Sequence, residues 1–282
     1  MLYMPGSNAR ALAKARELPA DALIFDLEDA VAPSEKERAR AQVSEALATG
    51  GYGSREILVR VNALDTAWAN DDLEAAAHSG ADGVLLPKVE SIEAVESAAW
   101  KLEQAGAPRS QRLWCMIETP RGVLHAEAIA NAHPRLAGFV MGTSDLAKDL
   151  RCAHTPSREP MLTALSLALL AARAEGLAIL DGVHLDLNDE AGLVASCRQG
   201  REFGFDGKTL IHPKQIAAAN AAFAPSEAEV EHARRIVAAH AAAEAEGQGV
   251  VLVDGRLVEN LHVQMAQETL AMAEALASLG QS

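Results

Sequence analysis

The chain has 282 residues, of which 49% are hydrophobic, and a formal net charge of −14 at pH 7. This acidic balance argues against nucleic acid or an anionic membrane as the main partner, so an anionic substrate would need a local basic pocket. No apolar run approaches the ~18 residues of a membrane span, and the N-terminus MLYMPGS is unlike a secretory signal. Three scattered cysteines without a CxxC pair exclude zinc-finger and disulfide-scaffold proteins, and we expect a cytoplasmic location.

Strand-like runs and helix-forming segments alternate along most of the chain. The strand-like runs occupy residues 2–4, 22–25, 57–61, 83–86, 113–117, 138–141, 178–180 and 207–211. Segments rich in Ala, Glu and Arg predict helices at residues 7–18, 34–47, 69–78, 92–104, 122–131, 160–175, 189–203 and 213–222. Start signals support several of these helices, such as Ser34 with Glu37 as a capping box and Ser91 before the fourth helix.

Eight alternating strand and helix units without an internal break favour a (β/α)8 TIM barrel over an open doubly wound sheet. An open sheet would also predict a GxGxxG turn after an early strand, whereas residues 4–7 read only MPGS. The length of the chain suits a barrel of roughly 250 residues with an extension. We therefore predict an α/β protein in which residues 1–224 form the barrel and its functional site.

The pattern changes after residue 224, and residues 225–282 are predicted to be a C-terminal extension. Ser226 and Glu229 cap a helix at about residues 227–246, and a Gly-rich linker at 247–249 follows. A hairpin is predicted at 250–258, with its turn at Asp254-Gly255, and a last helix at about 261–279. Such an extension can be a structural cap, an oligomerisation arm or an active-site lid.

One strand-helix-strand unit, residues 113–150, carries the clearest chemical signal. Its first strand ends at Glu118, its second ends just before Asp145, and a helix predicted to begin at Thr119-Pro120 connects them. Because a crossover helix makes its two strands parallel, both carboxylates are expected at the same edge of the sheet. Two carboxylates placed there suit Mg²⁺, although two solvated loop residues would give the same pattern.

Charged residues that follow other strands should share this face, where TIM-barrel enzymes carry out their chemistry. Arg60 follows an apolar run, and its guanidinium is suited either to fork a substrate carboxylate or to pair with Asp26 or Glu28. Asp26, Glu28 and Asp29 are expected to hold the cations and water of the site rather than to react. Lys88 either neutralises one of these acids or is a solvated loop lysine.

Eight motifs, in order, resemble the citrate lyase β-subunit-like family within the HpcH/HpaI aldolase superfamily. They are LYMPGS, FDLEDAV, LVRVN, LLPKVE, MIETPRG, GTSDLAKDL, LDGVH and GFDGKTLIHPKQI, and they span nearly the whole chain. The resemblance implies a Mg²⁺-dependent barrel that cleaves or forms a carbon–carbon bond β to a CoA or acyl-carrier thioester. Members usually have a few residues before the first strand, so this chain either is trimmed or has a natural start further upstream.

The resemblance also implies roles for individual residues. Glu118 and Asp145 would be the metal ligands, with Glu118 also reaching the substrate, and Arg60 would bind the substrate carboxylate. Backbone amides at Gly142 and Thr143 would supply part of a pocket for the enolate oxygen. In relatives, an aspartate in the C-terminal tail is thought to act as acid or base in a neighbouring subunit.

The matching tail segment of this chain places Glu259 where that aspartate would stand. Its longer side chain moves the carboxyl by about one C–C bond, and a misplacement of ~1 Å can cost on the order of 100-fold in rate. Glu259 is therefore the least secure of the predicted catalytic residues. The segment around it suits a lid that serves the neighbouring subunit.

Several functions stay open on the sequence alone. The leading prediction is a lyase acting on citryl-, citramalyl- or malyl-CoA, which would release acetyl-CoA and oxaloacetate, pyruvate or glyoxylate. The alternatives are a malate-synthase-like or thioesterase-like enzyme, a CoA-independent pyruvate aldolase, and a β subunit that works only within a citrate lyase complex. A homotrimer or homohexamer is expected from the resemblance.

Overall fold

In the computed structural model, eight strands lie side by side in chain order, and each pairs in parallel with the next. Their bounds are Leu2–Pro5 (β1), Ala22–Asp26 (β2), Glu56–Arg60 (β3), Gly83–Leu86 (β4), Arg112–Ile117 (β5), Leu136–Met141 (β6), Ala178–Asp181 (β7) and Gly207–Lys208 (β8). The structure describes residues 1–245 and 251–279, and the chain divides into two compact units, residues 1–222 and 223–282.

The sheet closes on itself through the backbone that follows β8. Leu210 forms a parallel bridge with Leu2, the Tyr3 N–H donates to the Leu210 carbonyl at 2.9 Å, and the Leu210 N–H donates to the Met1 carbonyl at 2.9 Å. The predicted (β/α)8 barrel is thus confirmed. Only the last strand is much shorter than its predicted run, because Thr209 and Leu210 already bond to different strands.

Helices follow the strands around the outside of the barrel. Their bounds are Ala9–Lys14 (α1), Lys36–Thr49 (α2), Ala69–His78 (α3), Ile92–Gln104 (α4), Pro120–Leu124 (α5), Ala126–Ala130 (α6), Thr143–Leu150 (α7), Leu162–Ala174 (α8), Glu190–Phe203 (α9) and Ile216–Phe223 (α10). Short 3₁₀ turns precede α2, α8 and α10, and another follows α1. The predicted bounds of the third and fourth helices agree with α3 and α4.

Two local predictions were wrong, and one helix was not predicted. The helix predicted at 122–131 is divided into α5 and α6 at His125, whose backbone leaves the helical region. The capping box of Ser34 and Glu37 does not form, because a 3₁₀ turn places Glu35 at the start of α2 without a side-chain cap. Helix α7 was not predicted, since its eight residues are too few to show a helical period clearly.

Alternating residues of the strands fill the inside of the barrel. The apolar layer consists of one or two side chains from each strand β2 to β7, namely Ile24, Leu58, Leu85, Trp114, Met116, Val140 and Leu180. Because side chains two positions apart face the same side of a strand, the next inward positions belong to Asp26, Arg60, Glu118 and Gly142. The regular period of the strands therefore places charged groups directly above an apolar layer, at the carboxyl end of the barrel.

A separate group of buried charges joins β7 to β8. Asp181 is fully buried and accepts hydrogen bonds from Arg158 Nη1 at 2.6 and 2.8 Å and from Lys208 Nζ at 2.9 Å. Lys208 is opposite Asp181 in the strand register, and its ammonium also donates to Ser196 Oγ at 2.9 Å. One carboxylate thus holds two buried cations in place on the far side of the barrel from β3.

The second unit is described by itself as a pair of helices with a hairpin. It contains α11 (Glu227–Ala245), strands β9 (Val251–Val253) and β10 (Arg256–Val258), and α12 (Asn260–Leu279). The predicted Ser226–Glu229 capping box forms, and Asp254 and Gly255 both have positive φ, as a two-residue hairpin turn of type I′ requires. The predicted linker at 247–249 lies outside the described residues.

The core of this unit consists of small and branched side chains from all four elements: Ala233, Ile236, Val253, Val258, Val263 and Ala266. Its role as a cap, an arm or a lid stays a prediction. Across the described ranges of both units, no helix combines the length and the apolar character needed to cross a membrane.

Asp181→Ala should lower the free energy of unfolding by about 3–5 kcal/mol, because it leaves Arg158 and Lys208 buried without their counter-ion. Urea denaturation followed by circular dichroism measures this change. Glu35→Ala is the matched control, since its pair with Arg38 is exposed and should contribute at most about 1 kcal/mol. Equal losses in the two variants would contradict the assignment.

Candidate functional site

A pocket of about 410 Å³ opens at the carboxyl ends of the barrel strands. Its polar and charged lining residues are Asp26, Asp29, Arg60, Glu118, Thr143, Ser144 and Asp145. Its apolar lining residues include Met116, Met141, Val183, Leu185 and Ile211. Seven of the predicted site residues therefore line one cavity: Asp26, Asp29, Arg60, Glu118, Gly142, Thr143 and Asp145.

Glu118 lies directly after β5 and is 1% exposed. Its Oε1 accepts a hydrogen bond from the Lys88 backbone N–H at 2.8 Å. The backbone of Lys88, which provides this amide, has a left-handed φ of 51°. The pKa of Glu118 is raised to about 7, chiefly by burial; the hydrogen bond from the Lys88 amide opposes this shift, and the charges of Glu28 and Asp145 add to it. The negative charge of Glu118 is thus poorly neutralised by the residues around it.

Asp145 is the third residue of α7, where a carboxylate is favoured by the helix dipole. Its Oδ1 accepts a hydrogen bond from the exposed Lys148 at 2.9 Å. Helix α7 comes close to β5 at Gly142, where a Cβ atom would lie only 2.2 Å from Glu118 Oε2. A glycine at this position is therefore required for the two carboxylates to line the same pocket.

The charges of this site fit a divalent cation. Asp26 and Glu28 are paired with the buried Arg60, and Glu28 also with Lys88, whereas the buried Glu118 accepts a hydrogen bond from a backbone amide and Asp145 accepts one from the exposed Lys148. In the described ranges, no group of three or more His, Cys, Asp or Glu side chains forms a complete metal cage. Mg²⁺ commonly binds through one or two carboxylates and keeps water or substrate oxygens as its other ligands, so Glu118 and Asp145 suit this ion.

Arg60 lies at the centre of a buried network rather than at an open end of the pocket. Its Nε and Nη2 donate to the two carboxylate oxygens of Asp26 at 2.7 and 2.6 Å, and its Nη1 lies 2.8 Å from Glu28 Oε2. The structural pairing that the sequence left open is thus present. Binding of a substrate carboxylate by Arg60 stays a prediction, and replacing Arg60 would also disturb the barrel.

The acidic turn after β2 organises the neighbouring charges. Asp26 accepts hydrogen bonds from the backbone N–H groups of Glu28 and Ala30, at 2.9 and 3.1 Å. Lys88 Nζ donates to Glu28 Oε1 at 2.5 Å, so Lys88 neutralises an acid of this turn. The Asp29 side chain is largely exposed and lies 3.7 Å from Arg60 Nη1. These residues surround the pocket and set its charge.

The expectation for the backbone amides was partly wrong. The Gly142 N–H donates to the Ile117 carbonyl at 3.2 Å, so it is not an open donor for an enolate oxygen. Thr143 begins α7, and an amide at that position has no acceptor within its own helix. Of the predicted pair, Thr143 is therefore the one whose N–H is suited to the pocket.

Glu259 belongs to the second unit, where it precedes α12. Its backbone N–H donates to His262 Nδ1 at 3.0 Å, and its carbonyl accepts from the His262 N–H at 2.9 Å. Its side chain is exposed. A catalytic role for Glu259 in a neighbouring subunit stays a prediction.

Several residues of the pocket were not predicted from the sequence. Tyr3 and Met116 belong to strands, and their inward direction follows from the alternation that also brings Arg60 and Glu118 inward. Val183 and Leu185 lie in an irregular loop after β7, which carries no such periodic signal. The apolar lining residues are thus the part of the site that is hardest to predict from the sequence.

A closed barrel with a carboxylate-rich pocket at the carboxyl ends of its strands has the architecture of a TIM-barrel enzyme. Residues 1–213 match the sequence model of the HpcH/HpaI aldolase/citrate lyase family. The chain belongs to this family of carbon–carbon lyases, as the sequence motifs predicted. It is therefore an enzyme of the lyase class.

Similar proteins cover almost the whole chain. A (3S)-malyl-CoA thioesterase of Cereibacter sphaeroides is 54% identical over 278 residues, which are 99% of this chain and 95% of that protein. The citrate lyase subunit beta of Escherichia coli is 42% identical over 279 residues, which are 97% of this chain and 92% of that protein.

Solved structures of the family contain magnesium. The CitE protein of Mycobacterium tuberculosis in complex with magnesium, acetoacetate and coenzyme A has a TM-score of 0.80 and 32% identity, over 97% of both chains. The citrate lyase beta subunit of the same organism, complexed with oxaloacetate and magnesium, has a TM-score of 0.69 and 34% identity, over 79% of this chain and 96% of that chain. The magnesium prediction agrees with these structures.

Mg²⁺ binding should become about tenfold tighter between pH 6 and pH 8, because a carboxyl group with a pKa of about 7 must lose its proton to become a ligand. Isothermal titration calorimetry in buffers of different ionisation enthalpy measures both the affinity and the released proton. Glu118→Gln should bind Mg²⁺ weakly at both pH values. Glu127→Gln, on the exposed face of α6, is the control and should keep the wild-type profile. An affinity that does not change with pH would contradict the assignment of Glu118.

Proposed function

We propose that this chain is a Mg²⁺-dependent enzyme that cleaves a 3-hydroxyacyl-CoA thioester of the malyl-CoA type into acetyl-CoA and an oxo-acid. The observation that carries the proposal is the pocket that Glu118 and Asp145 both line, in which Glu118 is buried against a backbone amide and Asp145 is paired with an exposed lysine. Supporting it, magnesium is found together with acetoacetate and coenzyme A, or with oxaloacetate, in the related structures.

Glu118 and Asp145 would hold the metal, which supplies a Lewis acid for the hydroxyl and carboxylate oxygens of the substrate when it is bound. The remaining steps belong to the substrate and the chain. The 3-hydroxyl passes its proton to a base, for which Glu259 of a neighbouring subunit is the candidate, and the C2–C3 bond breaks. The electron pair of that bond moves toward the thioester carbonyl, and the resulting acetyl-CoA enolate takes a proton back from that group at C2.

The residues of the chain would fix the geometry of this reaction. Lys88 orients Glu118 through its backbone amide and holds Glu28 through its ammonium group. Arg60 provides positive charge next to the pocket, and its pair with Asp26 keeps the guanidinium in one orientation. The Thr143 N–H is suited to the enolate oxygen.

The similarity to the thioesterase favours malyl-CoA over citryl-CoA as the substrate, since its identity of 54% exceeds the 42% of the citrate lyase subunit. It also supports a second candidate reaction, hydrolysis of the malyl-CoA thioester to malate and CoA. Both reactions need the same substrate in the same pocket. The lyase breaks the C2–C3 bond, whereas hydrolysis adds water to the thioester carbonyl and breaks the C–S bond to release CoA.

The natural reaction can be identified from its products. With (3S)-malyl-CoA and Mg²⁺, the purified chain should form glyoxylate and acetyl-CoA, measured as the phenylhydrazone of glyoxylate and by liquid chromatography. Free CoA without glyoxylate, detected with a thiol reagent, would instead select hydrolysis. EDTA and Glu118→Gln should each remove the activity.

The comparison of malyl-, citramalyl- and citryl-CoA by kcat/KM then ranks the acyl chains. A lack of turnover of all three would contradict the proposal. It would favour the alternative from another class, a β subunit that needs an acyl-carrier protein and the other subunits of a citrate lyase complex. The assembly state, for which we propose a homotrimer or homohexamer, is measured by analytical ultracentrifugation of the same preparation.

Glu259→Gln should abolish turnover and leave Mg²⁺ binding intact if the extension supplies an acid or base to a neighbouring subunit. The nearby Glu268→Gln on α12 is a matched control with an exposed carboxyl group, and it should behave as the wild type. Full activity in Glu259→Gln would remove this residue from the mechanism. Glu259→Asp tests whether the shorter side chain of the relatives is equivalent.

A further inference from the structure

Tyr3 lies within the pocket but takes no part in the chemistry proposed above. It belongs to β1 and lines the cavity together with Arg60, Met116 and Glu118. Its ring lies over the Arg60 guanidinium, with 4.9 Å between the Arg60 Cζ atom and the ring centroid. The phenol group thus lies against the Arg60 guanidinium, next to the residues that would bind the substrate.

The hydroxyl of Tyr3 donates its hydrogen bond to a weak acceptor. Its hydrogen-bond partner within the described part of the chain is Met116 Sδ, at 3.8 Å, and a thioether sulfur is a weak acceptor. The same sulfur also lies 3.7 Å from Arg60 Nη1. Tyrosine hydroxyls that are removed from solvent usually find a stronger partner. A ligand with an oxygen atom in the pocket would supply one.

The charges around Tyr3 determine whether its hydroxyl is protonated, and thus which kind of ligand oxygen it can bind. Burial raises the pKa of the Tyr3 hydroxyl, and the carboxylates of Asp26, Glu118 and Glu28 raise it further against the opposing effect of Arg60. The hydroxyl therefore keeps its proton at neutral pH and acts as a donor. Since Arg60 is already paired with Asp26 and Glu28, an incoming carboxylate gains from a neutral donor beside the guanidinium.

We propose that the Tyr3 hydroxyl donates a hydrogen bond to the carboxylate at the oxo-acid end of the substrate, so that Tyr3 is a substrate-binding residue of this enzyme. The inference rests on the proposed function, which supplies a substrate with such a carboxylate. The ring of Tyr3 makes a second contact, with the Arg60 guanidinium. The hydroxyl and the ring can be tested separately.

Tyr3→Phe keeps the ring over Arg60 and removes only the hydroxyl. Calorimetric titration with glyoxylate and with pyruvate, at saturating Mg²⁺, should give a dissociation constant about tenfold higher than that of the wild type. The affinity for Mg²⁺ alone and the melting temperature should stay unchanged. With malyl-CoA, the variant should show a raised KM and a smaller change in kcat.

Tyr52→Phe is the matched control, because Tyr52 also lies over an arginine, with Arg16 Cζ 5.2 Å from its ring centroid. Its hydroxyl donates to the Leu12 carbonyl at 3.1 Å, away from the pocket. The expected pattern is the reverse of that of Tyr3→Phe. Tyr52→Phe should lower the melting temperature and leave oxo-acid binding unchanged.

These measurements test the role of Tyr3 separately from the proposed function. Equal oxo-acid affinity in the wild type and in Tyr3→Phe would overturn the role of Tyr3 and leave the proposed function intact. If the wild type binds no oxo-acid in the presence of Mg²⁺, both the proposed function and the role of Tyr3 are overturned. A lower melting temperature in Tyr3→Phe without a change in affinity would make Tyr3 a structural residue only.

Discussion

The two-pronged ion pair between Arg60 and Asp26 is the interaction on which the site depends. It joins the ends of β2 and β3, where both side chains point into the barrel and are almost inaccessible to water. Removing one partner of such a pair leaves a buried charge, which costs more than the pair contributes. Glu28, Lys88 and Tyr3 all take their positions from contacts with this pair or with its neighbours. Asp26, Arg60, Glu28, Lys88 and Glu118 therefore form one connected network.

This network explains why the site can contain so many carboxylates. Each acid near β2 has a nearby cation, whereas Glu118 depends on a backbone amide and Asp145 on an exposed lysine. The charge that stays uncompensated is thus concentrated where the two strand ends of β5 and β6 meet. A barrel achieves this separation without special turns, because neighbouring strands deliver their last residues to the same edge.

The sequence predicted the barrel because each of its eight strands is a short apolar run between helix-forming segments. It also predicted that Glu118 and Asp145 lie together, since a strand-helix-strand unit has a fixed handedness and direction. It did not distinguish the two roles of Arg60, because the choice depends on distances of a few ångströms to Asp26 and Glu28. Tyr3 was not predicted to belong to the site, because an aromatic residue within an apolar run cannot be distinguished in the sequence from a core residue. The break at His125 and the open loop at Val183 depend on packing between elements that are far apart in the chain.

The bond between the first strand and Leu210 has a consequence for synthesis on the ribosome. Strand β1 is made first, but its second neighbour is translated about 200 residues later, so at ~5–20 residues per second one edge of β1 waits roughly 10–40 seconds for its partner. During this time the nascent chain exposes an unpaired strand edge, which can pair with other chains. Chaperones that bind apolar strands would thus be most important for this protein before its eighth strand leaves the ribosome.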